Sequence, residues 1–69
     1  MFEALRVWRL SEAKTQGIPP YLIFADSVLR DIAAVQPRAL DTMAMIKGVG
    51  ASKLDRYGQA VLQVVARQA

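Results

Sequence analysis

Ile46-Lys47-Gly48-Val49-Gly50-Ala51-Ser52-Lys53 is the stretch on which the reading of this chain turns. A helix-like run, Leu40 to Lys47, leads into it, and a longer one, Ala51 to about Arg67, leads out. Glycine reaches positive φ without steric cost and lets another backbone come close. Gly48 is therefore expected to end the first helix and Gly50 to open the second. Val49 between them is apolar and is expected to plug the turn back into the core. The backbone N–H groups at the start of the second helix then face outward and, with the helix dipole, suit a phosphate oxygen. Lys47 and Lys53 flank that place.

This arrangement has the pattern of a helix-hairpin-helix, a reader of nucleic-acid backbone. An ordinary tight turn between packed helices is the alternative, because short glycine motifs recur in unrelated settings. Charge distribution favours the first reading. Residues 1–31 balance Arg6, Arg9, Lys14 and Arg30 against Glu3, Glu12, Asp26 and Asp31. Residues 32–69 set Arg38, Lys47, Lys53, Arg56 and Arg67 against only Asp41 and Asp55. The whole net charge of +3 thus lies in the half that carries the glycine turn, where it favours a polyanionic partner.

A chain of 69 residues makes one domain, 1–69, and its apolar fraction of 54% is enough for a core. With neither Cys nor His, the sequence offers no disulfide, no thiolate or imidazole metal site, and no Ser-His or Cys-His nucleophile pair. The six carboxylates are scattered along the chain rather than clustered as a metal-dependent nuclease needs. No cofactor and no small-molecule substrate is expected. No apolar run approaches the ~20 residues of a membrane span, and no signal peptide opens the chain.

The expected architecture is all-α, a bundle of about five short helices. Residues 2 to about 16 read as a helix with Leu5, Trp8 and Glu12 along one line, Trp8 in the core, and Val7 and Leu10 away from it. Arg9, beside that line, is expected to form a structural ion pair or cap. Gly17 and the pair Pro19-Pro20 end this helix. Leu22-Ile23-Phe24 reads as a buried turn rather than a strand. Tyr21 has two readings, a ring presented for stacking on a base or a ring packed on the core. Asp26 is expected to cap a helix from Ser27 to about Gln36, whose buried stripe is Val28, Leu29, Ile32, Ala33 and Val35. The next helix, Leu40 to Lys47, turns Leu40, Met43 and Ile46 inward and has a weak start at Ala39. The last places Leu54, Tyr57, Gly58, Val61 and Val65 on one side and Lys53, Arg56, Gln63 and Arg67 roughly on the other. Gly58 inside that helix implies a close helix crossing.

Taken in order, Leu5-x-x-Trp8-Arg9, Ala13, Gly17-Ile18-Pro19-Pro20-Tyr21, Ile23-Phe24, Asp26, Leu29, Ile32-Ala33, Pro37, Ile46, Gly48-Val49-Gly50, Lys53-Leu54 and Tyr57-Gly58 resemble the helicase-and-RNase-D C-terminal domain, HRDC. The versions in RecQ DNA helicases look most similar, and the resemblance spans about residues 5–65. It implies a non-catalytic accessory module from the C-terminal region of a larger helicase, cytoplasmic and nucleoid-associated in a bacterium or nuclear in a eukaryote. It also implies a monomer that binds single-stranded or branched DNA. The parent helicase core or another protein is a second kind of partner, and an RNase D-type enzyme binding RNA is a third setting. Carried over by position, the resemblance points to Tyr21, to Gly48, Val49 and Gly50, and to Lys53. Lys47, Arg38 and Arg56 join them as DNA-binding candidates on charge and place alone. Ala39 departs from the family by lacking a hydroxyl near a helix start.

Overall fold

The computed structural model describes residues 1–68 and is all-helical. The described residues form four α-helices: α1 (Phe2–Gln16), α2 (Asp26–Val35), α3 (Leu40–Ala44) and α4 (Ala51–Gln68). There are four where about five were expected, and the segment between α1 and α2, read as a turn, carries a single 3₁₀ turn, Pro20–Leu22. At 1.5 Å per residue α4 is about 27 Å long, close to the 28 Å longest extent of the domain. α1 packs against α2, α4 and the 3₁₀ turn, while α3 packs against α4.

Local chemistry sets these boundaries. α1 ends where Gly17 adopts φ 68°, with Ile18 N–H donating to Ala13 O (3.0 Å) and Gly17 N–H to Lys14 O (3.2 Å), the paired bonds of a Schellman motif. The prolines then allow only a tight turn, closed by Leu22 N–H to Pro19 O and Ile23 N–H to Pro20 O, both 3.0 Å. Of the apolar run that follows, Ile23 and Phe24 are fully buried and Leu22 is half exposed. α2 stops one residue earlier than expected because Gln36 takes a left-handed conformation (φ 51°), and Pro37 behind it is fully buried. α3 stops at Ala44, short of Lys47, as Met45 and Ile46 N–H bond back to Thr42 O and Met43 O.

The core unites Leu5 and Ala13 of α1, Ile23, Phe24, Leu29 and Ile32, then Met43, Ile46 and Val49, and finally Tyr57, Val61 and Val65 of α4. Fully burying a side chain the size of Leu or Ile contributes about 1.5–3 kcal/mol. Val35 does not join this stripe: it is 50% exposed, because α2 ends there and nothing lies over it. Gly58 marks the expected crossing, since a methyl group on it would come within 2.7 Å of Leu40 Cδ2 on α3.

Asp26 does not cap α2. It is that helix's first residue, Ala25 holds the cap position, and no side-chain cap bond forms. Its carboxylate instead meets Arg9 of α1, Nη1 to Oδ1 at 2.7 Å. The same nitrogen donates to Phe24 O at 2.9 Å, and Arg9 is buried while Asp26 faces solvent. This hydrogen bond from Arg9 holds the Asp26 carboxyl below its ordinary range.

Gly48→Ala puts a side chain at φ 94° and a methyl within 2.6 Å of Val28 Cγ2, so a loss of at least about 1–3 kcal/mol is expected in urea unfolding. Gly50 has open space around it, and Gly50→Ser should match the parent or gain a few tenths of a kcal/mol. For Asp26, the unfolded chain binds the proton more readily than the folded one. Its contribution is therefore complete above about pH 4 and is lost as the pH falls through the lower folded-state pKa. In acid titrations followed by circular dichroism, Asp26→Asn should lose that part of the pH dependence.

Candidate nucleic-acid interface

The turn between α3 and α4 is built from the inside out. Val49 N–H donates to Ile46 O at 3.1 Å, closing a turn whose third residue, Gly48, has φ 94°. Positive φ at that position is what a type II turn demands. Ile46 and Val49 are each 7% exposed, so their side chains anchor the turn, and Lys47, Gly48 and Gly50 stay on the surface. The first bond of α4 is Leu54 N–H to Gly50 O, 2.9 Å. Among the described residues the N–H groups of Gly50, Ala51, Ser52 and Lys53 find no protein acceptor, as the first four donors of a helix must. No acidic residue stands in the first turn of α4 to neutralise its positive end.

Lys47 is exposed and Lys53 partly buried, with its Nζ 5.5 Å from the Phe24 ring centroid. Arg56 is exposed one turn further on, its guanidinium 5.5 Å from the Tyr57 ring centroid and its Nη2 3.5 Å from Gln16 Oε1. Among the described residues there are two ion pairs, Arg6 with Glu3 and Arg9 with Asp26, and both lie in the first half of the chain. Arg38, Lys47, Lys53, Arg56 and Arg67 have no acidic partner there. The described residues also hold no group of three carboxylates able to grip a metal ion and no helix long and apolar enough to cross a membrane.

Of the residues singled out by sequence, the structure gathers Lys47, Gly48, Val49, Gly50, Lys53 and Arg56 around the turn and the first part of α4. Val49 serves there as an anchor: its side chain is buried and its N–H is already bonded. Arg38 is exposed before α3, the length of that helix (about 7.5 Å) from the end that enters the turn. Tyr21 is 67% exposed on the 3₁₀ turn, which packs against α1. Its ring is free, but no ring or hydrogen-bond contact among the described residues joins it to the glycine turn. Sequence reasoning missed Met45, 86% exposed just ahead of Lys47. Its place was readable, because Met43 and Ile46 facing inward leave Met45 outward. It also missed Phe24 beneath Lys53, a contact between distant segments that no local pattern signals.

The family model of the HRDC domain matches residues 1–65. The chain belongs to the HRDC family. HRDC is a non-catalytic accessory domain. This HRDC domain is 46% identical over 61 residues to the ATP-dependent DNA helicase UvrD2 of Mycobacterium tuberculosis, covering 88% of the chain and 9% of that protein. It is 40% identical over 65 residues to the ATP-dependent DNA helicase RecQ of Bacillus subtilis, covering 94% of the chain and 11% of the relative. Ribonuclease D of Gluconacetobacter diazotrophicus is more distant, 31% identical over 67 residues, with 96% of the chain and 17% of the relative covered. The chain thus spans between about a tenth and a sixth of the curated relatives it matches.

An open helix start without a nearby acid should respond to one. Ala51→Glu places a carboxylate in the first turn of α4, where Ala51 is exposed. Unfolding free energy at low ionic strength should rise by about 0.3–1 kcal/mol, and the gain should shrink on adding salt.

Proposed function

We propose that this HRDC domain is an accessory nucleic-acid-binding module of a larger DNA helicase of RecQ or UvrD2 type. It contacts single-stranded or branched DNA weakly, through backbone phosphates, at a helix-hairpin-helix-like turn. The observation that carries the reading is the pairing of four uncommitted N–H donors at the start of α4 with Lys47, Lys53 and Arg56, none of which has an acidic partner. Three or four phosphate contacts on a single strand give a log–log salt slope of roughly −2 to −3, and non-specific affinities of this kind are ~10⁻⁴–10⁻⁶ M. Backbone contacts position without specifying, so sequence preference is expected to be slight. Tethered to a motor, such a module raises the local concentration of DNA at the enzyme. The relatives named above are bacterial, which favours the nucleoid as its place of action.

A second reading, protein docking, is favoured by the outer side of α1 and the 3₁₀ turn. Val7 (62% exposed) and Leu10 (47%) stand outward there, and Leu22 (49%) and Tyr21 are exposed on the packed 3₁₀ turn. The parent helicase core is one partner such a surface would suit. The Ribonuclease D relative also supports RNA as an alternative ligand for the turn.

One titration separates these. Adding a short single-stranded oligodeoxynucleotide at low salt should shift the Gly48, Gly50 and Lys53 amide resonances. Lys53→Glu combined with Arg56→Glu should weaken binding at least tenfold while the helical signal stays. Amides that do not move would remove the DNA reading. Protein docking through Val7 and Leu10 would survive the charge reversal, and an oligoribonucleotide competing more strongly than DNA would favour RNA.

A further inference from the structure

Trp8, Phe24 and Tyr57 form one aromatic cluster. Trp8 and Phe24 each meet Tyr57 edge-on at 5.8 Å between ring centroids, and Trp8 lies 6.3 Å from Phe24. Two cations of α4 rest on this cluster, Lys53 on Phe24 and Arg56 on Tyr57. Arg56 is also tied to Gln16, whose Nε2 donates to the Tyr57 hydroxyl and to Glu12 Oε2, both at 2.9 Å.

Lys53 stands in the first turn of α4, where the helix dipole repels a positive charge. Helix stability alone therefore does not favour a lysine there, and an unrestrained ammonium on a four-carbon stem would wander. Phe24 cannot wander: it is fully buried, and its carbonyl is held by Arg9. A ring face engages one side of an ammonium that carries three donors, which leaves others for an anion.

We infer that Phe24 and Tyr57 are positioning residues: from inside the core they hold Lys53 and Arg56 ready on α4 for the phosphates of a nucleic acid. This rests on the function proposed above. The two cations are thereby ordered before binding, so less freedom is lost when a phosphate arrives.

The test replaces Phe24 with mono- and then trifluorinated phenylalanine, which drains charge from the ring face and nearly keeps its shape. In the free protein the Lys53 ε-methylene protons should start with a ring-current shift and lose it stepwise. Affinity for the single-stranded oligonucleotide should fall stepwise, by about two- to fivefold at the trifluorinated stage. The salt slope should not change, because no phosphate contact is deleted. Gln16→Ala, a change at a half-buried site on α1, should weaken binding in the same direction by freeing Arg56. If fluorination leaves affinity unchanged or tightens it while the parent binds, the positioning role is wrong and the proposed function stands. If the parent chain does not bind the oligonucleotide at all, the proposed function fails and takes the positioning role with it.

Discussion

At Gly48 two constraints fall on one residue. The backbone must turn through positive φ, and Val28 of α2 stands where any Cβ would go. Only glycine meets both. Because the chain can reverse there, Ile46 and Val49 on either side are drawn into the core, and α4 starts at the surface with its first donors free of acceptors among the described residues. The contact with Val28 also ties the turn to α2, so the start of α4 is set against both α2 and α3. Charge is then added to a frame that packing has already set.

Much of that frame could be read along the chain because its causes are local. Gly17 with the two prolines ends α1 by backbone geometry alone, and the spacing of Tyr57, Gly58, Val61 and Val65 marks the buried side of α4. Gly58 announced a close crossing, and Leu40 is what crosses it. The readings that changed are those in which one side chain has two possible partners. Asp26 stands at the start of a helical run, so capping is the local expectation, yet a buried guanidinium attracts a carboxylate more strongly than an amide does. Val35 fits a helical stripe by spacing, but α2 ends beneath it, and spacing does not say how far a neighbouring element extends. The count of helices is four rather than about five, since Pro19 and Pro20 leave room for only one 3₁₀ turn between α1 and α2.

The candidate interface divides in the same way. Lys47, Gly48, Gly50, Lys53 and Arg56 come together because they are neighbours in sequence on one bend and one helix face. Tyr21 and Arg38 carried the same chemical promise but belong to other segments, the 3₁₀ turn and the residues before α3. Of the aromatic support, Tyr57 beneath Arg56 belongs to α4 itself, whereas Phe24 beneath Lys53 comes from the residues just before α2, so that contact became visible only once the two segments were packed together.

Gly50, unlike Gly48, is under no steric compulsion. A serine, threonine or aspartate would fit there, but its oxygen would fold over and accept from the amides that open α4. Such a residue would be an internal competitor, filling with the protein's own atom the place an incoming anion would take. Glycine at this position leaves the helix entrance unoccupied by the chain itself, and the domain forgoes a small amount of rigidity to keep it so.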